Sequence, residues 1–106
     1  MQTTDKVANL LGFAIKAGKV IFGSDSIERY HKKKHLIIMC TLLSENTQKK
    51  IVNAHQSVPV FLSRETKVED LTHKAGCKVI AVTDKQMATA LIDKMNGSYQ
   101  RVTEVR

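Results

Sequence analysis

The sequence predicts one α/β domain, a three-layer α/β/α sandwich around a small four-stranded mixed sheet. Three observations carry this expectation. Helix-like and strand-like segments alternate along the 106 residues, the order that builds layered α/β domains. The block Leu36-Ile37-Ile38-Met39-Cys40 is apolar without alternation, as a strand covered on both faces requires. A composition of 42% apolar and 25% charged residues is that of an ordinary globular domain. The domain is expected over residues 1–97, with a loose tail over residues 98–106.

Residues 5 to 17 read as a helix because Val7, Leu10, Leu11, Ala14 and Ile15 form one stripe at helical spacing. Thr4 is placed to cap it and Gly18 to end it. Lys19 to Phe22 reads as a short strand leading into Gly23-Ser24-Asp25-Ser26. There Asp25 and Glu28 stand in capping-box register, so a second helix is expected to start near Ser24 or Asp25 and run to about Lys33. After the strand at 36–40, Ser44 caps a helix from about Glu45 to His55. Val58 to Leu62 is a strand with Pro59 at its start or on an edge. Thr66 and Glu69 suggest a second capping box, opening a helix of about 67 to 75 that Gly76 stops. Lys78 to Val82 is the fourth strand, and Thr83 with Gln86 opens a last helix ended by Asn96-Gly97.

Seventeen Lys and Arg against ten Asp and Glu give a formal charge of +7, with a sequence pI near 9.6. Such a surplus on a short chain points to a polyanion, because neutralised phosphates release condensed counterions. Three Phe, two Tyr and no Trp are too few for the stacking platforms of single-strand binders. The expected partner is therefore structured RNA, held by shape and backbone contacts. No apolar run reaches the roughly 20 residues of a membrane span. The start of the chain lacks a basic and apolar leader, so Cys40 and Cys77 are expected in a reducing, cytoplasmic compartment.

Enzymatic signatures are missing. Gly18 to Gly23 has the glycine spacing of a phosphate-binding Walker loop, but Ser24-Asp25 stands where that motif needs Lys and then Ser or Thr. The four His and two Cys show no C-x-x-C pair, and three lysines separate His31 from His35, so neither a metal nor another cofactor is expected. Cys40 reads as a core hydrophobe, whereas Cys77, just after Gly76, is expected to be partly exposed.

Three constellations suit RNA. The turn Gly23-Ser24-Asp25-Ser26 with Arg29 combines a glycine that lets backbone approach a ligand with a helix start that offers N–H groups. The run His31-Lys32-Lys33-Lys34-His35 sets cations at a helix end. Ser63-Arg64-Glu65-Thr66-Lys67 lies at a strand-to-helix loop, where open α/β sheets gather their binding loops. For each, a solvated surface or a plain helix cap is the competing explanation.

The segments Leu10-Leu11-Gly12-Phe13-Ala14-Ile15-Lys16-Ala17-Gly18-Lys19-Val20, Gly23, Leu36-Ile37-Ile38, Ser44-Glu45-Asn46-Thr47, Val58-Pro59-Val60 and Leu71 to Gly76 occur in a telling order. In it the chain resembles the kink-turn RNA-binding ribosomal protein family, of the large-subunit seven-Ae and thirty-e type, and most of all its small bacterial YlxQ-like branch. The likeness spans about residues 4 to 95. It implies an α/β/α sandwich that grips a kinked RNA helix with the turn between the first strand and the second helix. Where the family usually has Lys-Gly-x-Asn-Glu, this chain has Phe22, Gly23, Asp25 and Ser26 at the Lys, Gly, Asn and Glu positions. Asp25 accepts hydrogen bonds and cannot donate as Asn does, while Ser26 retains a hydroxyl. The family's second contact loop corresponds to Gly76-Cys77-Lys78, preceded by Leu71-Thr72 in place of its usual Leu-Gly pair.

The expected function is that of a non-enzymatic RNA-binding protein of the ribosome or translation machinery, on ribosomal RNA or another kink-turn RNA. Protein partners there are also expected, and a membrane is not. Gly23, Ser24, Asp25, Ser26 and Arg29 are expected to place and read the RNA, with Gly76 and Cys77 in the second loop. Lys19, Lys33, Arg64, Lys67 and Lys78 are expected to contact phosphates. A protein-interaction module of the same fold, without kink-turn specificity, is the alternative.

Overall fold

The computed structural model describes residues 6–95 and 97–103, where the chain runs α1 (Lys6–Lys16), β1 (Val20–Phe22), α2 (Ser24–Arg29), β2 (Leu36–Cys40), α3 (Glu45–Ala54), β3 (Val60–Ser63), α4 (Val68–Thr72), β4 (Val79–Val82), α5 (Lys85–Lys94) and β5 (Tyr99–Arg101). The strands form one mixed sheet in the order β1-β4-β2-β3-β5, with β2 and β3 parallel and the other neighbours antiparallel.

Alternation along each strand sorts its side chains between two cores. Leu36, Ile38, Cys40, Phe61, Ile80 and Val82 pack with Val7 and Leu11 of α1, Val68 and Leu71 of α4 and Ala88 and Leu91 of α5. Ile37, Met39, Val60, Val79 and Ala81 pack with Ile27 of α2 and with Ile51 and Val52 of α3. The unbroken apolar reading of residues 36–40 follows from this, since all five are buried.

Helix ends account for the finer boundaries. Gly18 ends α1 at φ +71, its N–H donating to the carbonyl of Ile15 and that of Lys19 to the carbonyl of Ala14, the paired bonds of a Schellman motif. Ser44 caps α3 as expected, accepting from the N–H of Thr47. Asp84, rather than Thr83, caps α5 through the N–H of Met87. Thr4 and Asn96 lie outside the described residues.

Several expectations are corrected. The sheet has five strands, not four, because Tyr99–Arg101, read as tail, pairs with β3. Tyr99 is buried against the α1 side of the sheet, and Arg101 lies over the Phe61 ring at 6.0 Å. Neither capping box forms: α2 follows Gly23, and α4 follows Lys67, in both cases without a side-chain cap. Helix α2 stops at Arg29, not Lys33, so the basic run beyond it is loop, which keeps like charges off adjacent helical turns. Helix α4 ends at Thr72 because His73 takes a left-handed conformation at φ 57.

Candidate nucleic-acid interface

Strand directions decide which loops meet. Strands β1, β2 and β3 run one way and β4 and β5 the other. One end of the sheet therefore collects the turn after Phe22, residues 41–43, residues 64–67, residues 73–78 and residues 97–98. The other end collects Lys19, His35 and Thr83.

At the first end, two segments distant in sequence wall an open concavity of about 470 Å³. Gly23, Ser24, Asp25, Ser26 and Arg29 come from the β1–α2 turn and from α2 itself; Lys74, Ala75, Gly76, Cys77 and Lys78 come from the α4–β4 loop. Gly23 has φ 89 and ψ 150, a region essentially closed to residues with a Cβ. That conformation lets its N–H donate to the carbonyl of Val79 at 2.9 Å, stitching the turn to the start of β4. Its own carbonyl accepts from Ile27 and begins α2.

The α4–β4 loop is fixed from within. The Thr72 hydroxyl donates to the carbonyl of Val68 and accepts from the N–H of Lys74. The N–H of Lys74 also donates to the carbonyl of Glu69, and that of Cys77 to the carbonyl of Lys74. Cys77 is buried, which corrects the expectation of partial exposure, and its thiol donates to the carbonyl of Val79. Burial pushes the Cys77 thiol above its ordinary value, against the smaller opposing effects of hydrogen bonds at Val79 and Thr72 and of the Lys74 charge.

The walls carry three cations, Arg29, Lys74 and Lys78, against one carboxylate, Asp25. Among the described residues the ion pair within 4.0 Å is Lys94–Asp93, so none of those three cations is neutralised by direct pairing. Lys74 Nζ lies 5.0 Å from the centroid of the Phe22 ring, an attraction that holds the ammonium over that ring at the concavity. With six residues, α2 is too short for its macrodipole to add much, so the lysines and Arg29 dominate the local field.

Eight predicted residues thus meet: Gly23, Ser24, Asp25, Ser26, Arg29, Gly76, Cys77 and Lys78. Arg64 and Lys67 stand at the same end of the sheet, in the loop between β3 and α4, but outside the concavity. Lys19 and Lys33 belong to the opposite end. The carbonyl of Lys19 accepts from Thr83, and Lys33 leads into His35, whose N–H donates to the carbonyl of Val82. Lys74 was not legible as a site residue, because a lone lysine at a helix end reads as solvent-facing. Its contact with Phe22 spans more than fifty positions.

Among the described residues no three His, Cys, Asp or Glu side chains gather into a potential metal site, and no helix is long and apolar enough to cross a membrane. No protein-family model and no curated protein matches the chain. Among solved structures, a protein of unknown function from Bacillus halodurans C is similar at a TM-score of 0.74 and 23% identity, over 85% of this chain and 96% of that chain. That likeness extends to the fold.

Proposed function

We propose that the chain is a non-enzymatic RNA-binding protein for structured RNA, of the kink-turn ribosomal type it resembles, and that the concavity between the β1–α2 turn and the α4–β4 loop is its RNA face. On this reading the two helix-bearing faces of the sheet make the three-layer sandwich of that family, working in the cytoplasm on ribosomal or other kink-turn RNA. The observation that carries it is the convergence of Arg29, Lys74 and Lys78, none directly ion-paired among the described residues, around a glycine turn whose backbone has no side chain in the way. Cations spaced around a concavity suit the phosphates on both sides of a bent strand, while the polar edge of Ser24, Asp25 and Ser26 suits base edges. The Lys74 ammonium over Phe22 supplies positive charge beside the position where the family has its lysine.

The protein-interaction alternative needs an apolar patch. Among the described residues the exposed large apolar side chains, Phe13 in α1 and Leu42 after β2, sit on separate elements, and single exposed hydrophobes are ordinary. Titration at one fixed salt concentration with a kink-turn RNA, a straight duplex and a poly-pyrimidine strand tests the reading. The folded RNAs are expected to bind much more tightly than the single strand, and equal affinity for all three would overturn it.

A further inference from the structure

A second concavity, of about 440 Å³, lies on the other side of the Ser24-Asp25 turn, between α2 and α3. Into it the fold brings Lys34, from the loop before β2, against His55 at the end of α3, with Lys34 Nζ 3.1 Å from His55 Nε2. His55 Nδ1 lies 2.7 Å from the carbonyl oxygen of Ile51. A carbonyl oxygen accepts, so Nδ1 carries the proton and Nε2 offers its lone pair to the ammonium; this tautomer follows from the hydrogen-bond network.

Lys34 is therefore a half-buried ammonium whose hydrogen-bond partner among the described residues is a neutral ring. Neither carboxylate on the groove, Asp25 or Glu28 of α2, lies within 4.0 Å of it. Lys50 of α3 and His31 of the loop add positive or protonatable groups, and Tyr30 and Thr47 add hydroxyls. An ammonium has three donors, and one is spent on His55. A half-buried charge without a counter-charge favours an anion, and one with several acceptor oxygens uses the spare donors best.

We propose that the groove between α2 and α3 is a phosphate-binding site centred on Lys34 and His55, with Lys50 as a second cationic wall. The phosphate oxygens come either from a small phosphate ester or from the backbone of a nucleic acid, and the site does not rest on the RNA reading of the other concavity. The test follows the ring resonances of His55 by NMR at constant pH while sodium phosphate replaces sodium chloride at matched ionic strength. In a parallel arm a structured RNA is added. A saturable response of His55 to phosphate, with His35 and His73 unmoved, is expected for a small-ester site. A response to RNA alone, weakened by Lys34→Gln, assigns the oxygens to a nucleic-acid backbone. Lys34→Gln is expected to weaken the response about tenfold or more, as loss of a charge-assisted hydrogen bond does. Lys50→Gln removes charge from the wall without touching His55 and is expected to weaken it less, whereas Lys49→Gln, outside the groove, leaves it unchanged. His55 responding alike to phosphate and chloride, or to neither phosphate nor RNA, would overturn the proposal, as would an unaltered response in Lys34→Gln.

Discussion

The two ends of the sheet both carry exposed lysines, but they handle the chain around them differently. At the end with Lys19, backbone groups close on one another: Lys19 donates to Ala14, its carbonyl takes the N–H and hydroxyl of Thr83, and His35 donates to Val82. Lys19 stands out from the rim that these bonds close. At the end with Gly23, the β1–α2 turn and the α4–β4 loop stand apart, joined at their base by the Gly23–Val79 hydrogen bond, and leave a concavity between them. Exposed cations mark both ends. What separates them is whether loops from distant parts of the sequence leave a concavity between β1–α2 and α4–β4, which strand direction decides and composition does not.

Gly18 and Gly23, one at each end, give the sharpest way to break this comparison. Gly18 ends a helix in the left-handed conformation that asparagine tolerates, whereas the φ and ψ of Gly23 fall where glycine alone is comfortable. Neither has an atom within 4 Å of where a Cβ would stand, so the penalty is one of backbone conformation rather than crowding. Gly23→Val is expected to cost about 1–3 kcal/mol of stability in chemical denaturation and to abolish RNA binding. Gly18→Asn is expected to cost less than about 1 kcal/mol and to leave binding intact. Equal losses of binding in the two variants would mean that the turn at Gly23 has no special part.

A second expected effect comes from the floor of the concavity. The folded-state value of the Cys77 thiol lies above the ordinary 9.0, so folding favours the protonated form. Its stabilising contribution is then complete below about pH 9 and is lost as the pH rises from there through the raised folded value. Denaturation curves from pH 8 to 11 are expected to show a flatter alkaline decline for Cys77→Ala than for the parent chain, and parallel declines would remove Cys77 from the account.

The smallest expected change is at Asp25, which lines the concavity without capping α2. Asp25→Asn is expected to alter stability by no more than about 0.5 kcal/mol. It supplies an amide donor at the position where the resembled family has Asn, so it is expected to tighten binding to a kinked RNA more than to a straight duplex of equal length. An equal gain on both would show that only charge had changed.

Strands β2 and β4, the Ser44 cap and the Gly18 stop were legible because each rests on local chemistry: continuous apolar runs, a hydroxyl three residues before an N–H, a glycine after an amphipathic stripe. Strand β5 was not, since in three residues only Tyr99 is buried and its stability comes from pairing with β3. The ends of α2 and α4 were misread for a related reason. An extended Tyr30 and a left-handed His73 stop them, while helix propensity alone would carry both further. Half of the site, from Gly23 to Arg29, lay within seven consecutive residues and was visible. Its partner, Lys74, was brought opposite Phe22 by packing. Lys19 and Lys33 were grouped with the site by charge, and the direction of β1 and β2 takes them away.

On the proposed reading the loop end, and not the overall charge, binds RNA. That reading is tested most directly by the salt dependence of affinity for one structured RNA in two charge-matched triple variants. Arg29→Gln/Lys74→Gln/Lys78→Gln strips the concavity, and Lys16→Gln/Lys19→Gln/Lys85→Gln strips exposed lysines at the opposite end. At roughly 0.7–0.9 per phosphate contact, the first is predicted to reduce the slope of log affinity against log salt by about two to three and the second to leave it as in the parent chain. Equal reductions in both variants, or a larger one in the second, would contradict it.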